Sequence, residues 1–375
     1  MRSSILFPVF SLAIAAIAAL TGCDERPFDQ IRERQRLEAE HAAALAEAAK
    51  APPRVVLDPT DVAIYKPLPK AYESLKNPIT EEKVALGRML YFEPRLSGSQ
   101  TLSCNSCHDL ATYGVDNQAT SLGHKGQRGG RNSPTVYNAA GNMAQFWDGR
   151  AEDVEAQAKG PILNPIEMAA PSAEYVVKVL KSIPEYVTRF KAAFPKDKDP
   201  VSYDNLARAI GAFERKLVTP TRWDEFLAGD AGAITEAEKA GFAKFAKLGC
   251  PTCHNGANVG GALYQKLGLV NPYADQTDLG RFAVTHNEAD KMFFRVPTLR
   301  NIEKSWPYFH KGQLKTLEET VRTMGHHQLG VELKDDEIAS IVTWLKTLTG
   351  ASPAEYIKKP VLPPSTDKTP KPTLD

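Results

Sequence analysis

Two short stretches of this 375-residue chain hold residues whose types and spacing could do chemistry. Ser103 to Asp109 reads SCNSCHD and Cys250 to His254 reads CPTCH, so four of only five cysteines stand in pairs, each pair followed directly by a histidine. On a single helical turn such a pair can form thioethers to the two vinyl groups of a haem, while the histidine is carried under the ring to coordinate iron. A zinc site built from both pairs is the competing chemistry, but Cys107 and Cys250 are far outside the usual ligand spacing. A dithiol redox pair would want a strand–helix–strand frame, and no sustained strand pattern occurs. The expectation is two covalently bound haem c groups, one on Cys104, Cys107 and His108, the other on Cys250, Cys253 and His254.

The ligand on the far face of each iron decides what it does, because a methionine thioether raises the potential relative to a second imidazole. Beyond Met1 the methionines are Met89, Met143, Met168, Met292 and Met324, and the histidines outside the motifs are His41, His124, His286, His310, His326 and His327. Spacing alone does not choose among them.

Helices must present these motifs. Thr235 and Glu238 form a capping box that opens a helix running to Gly249, immediately before the second motif. A helix over 80–92, with Val84, Leu86, Leu90 and Tyr91 available for burial, precedes the first. Ile338, Ile341, Val342, Leu345 and Leu348 fall at helical spacing in a last helix that ends at Gly350. Helix, motif, loops and helices thus occur twice. A 42% hydrophobic, 24% charged composition fits a globular protein, and a formal charge of +1 encodes no pull toward nucleic acid.

The ends read differently. Residues 1–23 look like an export signal: Arg2, an apolar run from Ile5 to Leu20, then LTGC, with Cys23 where a lipidated cysteine must stand. The 18 residues from Ile5 to Gly22 are also just long enough to span a membrane, but Cys23 and the interruption at Pro8 favour the lipid anchor. Either way the remainder lies outside the cytoplasm. Residues 24–71 read as a tether, helical to Lys50 and stopped by Pro52 and Pro53, and residues 351–375 as a proline-rich mobile tail.

Eight stretches together, VALGRMLYFEPRLS, CNSCH, TSLGHKGQRGGRNSPTVYNA, QFWDGRAEDVEAQAKGPI, GCPTCHNG, RVPTLRN, PYFHKG and VRTMGHHQLG, resemble the bacterial dihaem cytochrome c peroxidases, in family order across nearly the whole core. QFWDGR between two haem motifs is the specific mark. The resemblance implies an all-α fold of two cytochrome c-like helical domains, 72–230 and 231–350, each with one covalently attached haem. It implies that His108 serves a low-potential, peroxidatic haem with His124 as its removable distal ligand, and that His254 serves a high-potential, electron-accepting haem with Met324 opposite. Gly123, Gly126, Gly129 and Gly130 around His124 suit a loop that swings. Glu167, with Gln157 nearby, would act over the peroxidatic iron. Its apolar neighbours Ile166 and Met168 make a carboxylate costly unless it has work or a partner. Trp147 would lie between the haems, although most tryptophans simply pack. Asn132 with the backbone carbonyls of Ser305 and Pro307 would bind calcium, Ser305 replacing the family's threonine, a change a carbonyl ligand tolerates.

The activity so implied is periplasmic reduction of hydrogen peroxide to water. Electrons come from a small electron-donor protein, a cytochrome c or a cupredoxin, to an enzyme anchored through Cys23 and compatible with a homodimer. Two other classes compete. A dihaem oxidase that modifies tryptophans of a partner protein resembles relatives that lack the distal histidine and use tyrosine where this chain has Met324. A dihaem electron-transfer cytochrome needs no Glu167. His310, His326 and His327 receive no role.

Overall fold

The computed structural model describes residues 27–48 and 54–373. The expected export segment and Cys23 lie outside them. Residues 27–48 belong to a unit separate from the chain that begins at Arg54. They form one helix, Pro27–Ala48, whose exposed Arg34–Glu38 and Arg36–Glu40 pairs support it at i,i+4 spacing. No helix among the described residues is long and apolar enough to cross a membrane.

The larger unit is helix-rich and contains two hydrophobic cores. The first is built by helices Glu81–Tyr91, Val154–Leu163, Ala173–Lys181, Pro184–Ala193 and Tyr203–Glu214. Thr80, Asp153, Ser172 and Ser202 each accept a backbone N–H at the start of their helix, satisfying donors that the helix itself cannot. Gly87 lets the first of these helices touch the last backbone to backbone, since a side chain there would collide with the Ala209 carbonyl.

The second core is built by helices Arg222–Leu227, Glu236–Lys247, Leu317–Met324 and Asp335–Leu345. The expected Thr235–Glu238 capping box is formed. Trp223, Phe242 and Trp344 meet with ring centroids 4.8 to 5.5 Å apart, a tilted aromatic cluster at its centre. One small sheet, too short to show a pattern in sequence, pairs Tyr264–Lys266 antiparallel with Phe293–Arg295.

Three expected boundaries are corrected. Residues 54–71 are not tether: Tyr65 is buried against Trp223 and Phe242, and the Leu68 N–H binds Asp224 Oδ1 at 2.8 Å. Trp223 belongs to the second core, so the division between cores falls between Leu217 and Trp223 rather than at 230. The proline-rich segment is docked, not mobile. Tyr356 stacks on Phe213 at 5.1 Å, Arg95 donates to the Pro363 carbonyl, and the Thr373 N–H reaches the Gly98 carbonyl at 2.8 Å. Its prolines limit regular structure there to one helical turn, Ala354–Ile357, but Tyr356, Ile357 and Leu362 find apolar surface on the first core.

Candidate functional site

Both cysteine–histidine motifs close the same hydrogen-bonded ring. His108 N donates to Cys104 O and His254 N to Cys250 O, each at 3.0 Å. The first motif is one α-turn, Cys104–Cys107, and the second a 3-10 turn, Cys250–Thr252. All four thiols are free. Burial pushes Cys104, Cys107 and Cys250 up, Cys250 to about 12, which leaves them poor candidates for reactive thiolates.

Each motif opens onto its own cavity. One of about 520 Å³ is lined by Cys104, Cys107 and His108, and also by Gln157, Glu167, Arg131 and Arg150. Another of about 480 Å³ is lined by Cys250, Cys253 and His254, with Met324, Arg295 and His310. Burial lowers the pKa of both motif histidines, that of His254 to about 4, so each imidazole is neutral and fit to ligate a metal. The Gly114 carbonyl lies 3.4 Å from His108 Nδ1, an outer contact that leaves Nε2 as the nitrogen available to a metal. Two cysteines, a neutral half-buried histidine and a large void at each place are the donor set and space that a covalently attached haem requires.

The two cavities share a wall. Asn132, Pro134, Thr135 and Trp147 line both. Trp147 Nε1 donates to the Asn132 carbonyl at 2.9 Å, which fixes the indole in that wall.

Glu167 lies in the turn that follows helix Val154–Leu163, its N–H bonded to Asn164 O at 3.1 Å. Burial raises its pKa, only partly offset by the Arg150 charge and by a 2.8 Å hydrogen bond from Asn164 Nδ2. The structure thus brings Glu167, Gln157 and Trp147 to one cavity. It does not bring His124 there: Gly123 lines the cavity, whereas the His124 ring is buried with Nδ1 lacking a partner.

Met324 ends helix Leu317–Met324 and runs directly into a π-turn, Gly325–Leu329, a local irregularity common at functional positions. Gln328 pins that turn, accepting from Gly268 N at 2.7 Å and donating to Lys266 O at 3.0 Å. Met292 is buried in the second core without lining the cavity, so position separates it from Met324 as composition does not. Asn132, Ser305 and Pro307 all border the second cavity. Among the described residues no cluster of three His, Cys, Asp or Glu could hold a metal, so an ion at this trio would rest on amide and carbonyl oxygens.

Two residues escaped the sequence reading. Arg295 is 3% exposed, lines the second cavity and among the described residues has only the carbonyls of Phe146 and Val296 as side-chain partners, which leaves it donors for an anionic group such as a cofactor carboxylate. Burial lowers its pKa to about 10. Glu214 lines the first cavity and is pushed to about 8, by burial first and then by the neighbouring Glu155 charge. Neither is marked locally: Arg295 is one of two arginines in RVPTLRN, and Glu214 sits inside an ordinary amphipathic helix.

Residues 81–232 match the family model of the di-haem cytochrome c peroxidases. The cytochrome c551 peroxidase of Pseudomonas aeruginosa is 48% identical over 316 residues, 83% of this chain and 90% of its own. The methylamine utilization protein MauG of Methylorubrum extorquens is 35% identical, over 79% of this chain and 84% of its own. Among solved structures, a MauG-like protein associated with microbial copper homeostasis aligns with a TM-score of 0.70 at 29% identity, covering 78% of this chain and 97% of that one.

Proposed function

The chain belongs to the di-haem cytochrome c peroxidase family, and from that premise we propose that it reduces hydrogen peroxide to water in the periplasm. One peroxide, two electrons and two protons give two waters. The electrons come from a small redox protein, a cytochrome c or a cupredoxin. The observation that carries this reading is the single wall of Asn132, Pro134, Thr135 and Trp147 between two motif-bearing cavities, which gives an electron entering at one a short packed route to the other.

When bound, the haems would supply redox-active iron at the first site and a store of one electron at the second. Cys104, Cys107, Cys250 and Cys253 would hold them, with His108, His254 and Met324 as the side chains that would ligate iron. Arg295 takes a haem carboxylate. Glu167 accepts the proton of one peroxide oxygen and returns it to the departing oxygen, so that water leaves rather than hydroxide. Its burial and its Asn164 contact suit both halves of that exchange. Gln157 holds the peroxide or a water beside it. Trp147 links the sites, His124 would serve the first as a removable ligand once its loop moves, and Asn132 with the Ser305 and Pro307 carbonyls takes calcium. Cys23 supplies the lipid anchor.

Met324 at the second cavity favours this reading over a dihaem oxidase acting on a partner protein, which uses tyrosine there. The test is peroxide turnover by the purified holoprotein with reduced small donors. Consumption of peroxide coupled to donor oxidation is expected, and two intact haems with no consumption would leave an electron-transfer cytochrome.

A further inference from the structure

Each motif histidine ends a short turn and presents a backbone carbonyl to the interior. His108 closes the Cys104–Cys107 turn at φ −128, ψ 63, outside the helical region. A buried carbonyl of this kind needs a donor from elsewhere in the chain. Two tyrosines supply it. Tyr91 Oη donates to His108 O at 2.7 Å, and Tyr65 Oη donates to His254 O at 2.9 Å.

The two come from unrelated places. Tyr91 is the last residue of the helix in front of the first motif, 17 positions before its histidine. At the same distance before His254 stands Ala237, and the donor comes instead from the strap 54–71, 189 positions away. Both rings are immobilised: Tyr91 is 0% exposed and meets Phe92 and Phe213, while Tyr65 is 4% exposed and meets Trp223 and Phe242. The same bond at both motifs, reached by two routes, marks a requirement of the histidine and not an accident of packing.

We propose that Tyr91 and Tyr65 are positioning residues for the two axial histidines. Each fixes the peptide from which the imidazole hangs on its short Cα–Cβ arm, and with it the tilt of the ring toward iron. The inference rests on the haem reading above. It also gives the strap 54–71 a part in the second site.

The test uses the full-length holoprotein with Tyr65→Phe, Tyr91→Phe and, as control, Tyr356→Phe, which removes a 2.8 Å bond to the Phe213 carbonyl and none to a motif histidine. Haems are counted after denaturation, then the ferric electron paramagnetic resonance signal and reduction midpoint of each haem are recorded. Tyr65→Phe is expected to broaden the signal and move the midpoint of the second haem alone, Tyr91→Phe those of the first alone, and Tyr356→Phe neither. Two haems with both signatures unchanged, or with both moving together, overturn the inference while leaving the peroxidase reading intact. Fewer than two haems in the matured wild type overturns the site itself and the inference with it. Should one variant not accumulate folded, the other gives the same one-haem comparison against Tyr356→Phe.

Discussion

Arg131 forks onto Asp278 through two hydrogen bonds of 2.7 Å and reaches Asp148 at 2.6 Å with its remaining nitrogen. Arg131 lines the first cavity, and Asp278 Oδ2 lies 3.9 Å from Nε2 of His310, which lines the second. Burial alone would raise the Asp278 pKa, but the Arg131 hydrogen bonds and charge, with the Gly280 N–H, outweigh it and hold the carboxyl below its usual range. A lowered folded-state pKa stabilises above the unfolded value and loses that contribution as pH falls through the folded one. Asp278→Asn is therefore expected to cost about 1–3 kcal/mol at pH 7, less than fully orphaning Arg131 because Asp148 remains. Thermal unfolding of both proteins checks it: the gap should close as pH falls below the ordinary carboxylate range, and a gap that persists in acid would assign the cost to packing.

What was legible before any coordinates follows from how locally each feature is encoded. The Thr235–Glu238 box and the Cys104–His108 and Cys250–His254 turns are complete within a few residues, and the structure forms them where expected. Arg295, Asp278 and Tyr65 are meaningful only beside partners scores of positions away, as the 189-residue reach from Tyr65 to His254 shows. The strap and the docked proline-rich segment were misread for the same reason: composition reports what a segment cannot form by itself, not which surface it finds.

Glu167→Gln keeps the shape of the side chain and removes its proton exchange. It is expected to lower peroxide cleavage by about 100-fold or more while leaving both haem spectra in place. In the wild type the raised Glu167 pKa moves the acid limb of the rate profile above the ordinary glutamate range, because the carboxylate must be free to accept the first proton. Stopped-flow peroxide reaction across pH reads both effects. Near-normal rates in the variant would transfer the proton role to Gln157 and water.

Met324→His exchanges a thioether for an imidazole at the second cavity. The reduction potential of the second haem should fall, because imidazole favours ferric iron more than thioether does. Potentiometry resolves the two haems, and an unmoved midpoint would show that Met324 packs against the cavity without ligating.

Calcium removal tests the oxygen trio of Asn132, Ser305 and Pro307. Since Asn132 also accepts the Trp147 N–H in the wall common to both cavities, losing an ion there should slow electron passage between the sites without releasing either haem. Chelation with metal loss verified, followed by turnover, decides it. Unchanged turnover would remove calcium from the mechanism.

The His124 loop and the segment carrying Glu167 are tied together. The His124 N–H is shared between Ile166 O at 3.0 Å and Glu167 O at 2.8 Å, and Gln127 Nε2 bonds the carbonyls of His124 and Pro165. A side chain added at Gly126 or Gly130 would meet nothing within 4 Å, so the far side of the loop faces open space. If His124 caps the first iron in the oxidised enzyme, the loop must shift from the arrangement seen, and Glu167 must shift with it. Opening the iron and setting the proton-transfer group are then one event. Reduction at the second site is expected to drive it as a population shift, which needs a bias of a few kcal/mol to turn a mostly closed enzyme mostly open. His124→Gly should give a high-spin first haem that binds cyanide before any reduction, with Glu167 already in place. Rapid mixing of oxidised wild type and variant with cyanide separates the possibilities: slow binding only in the wild type supports the gate, and equal rates would reduce His124 to a loop residue whose backbone alone positions Glu167.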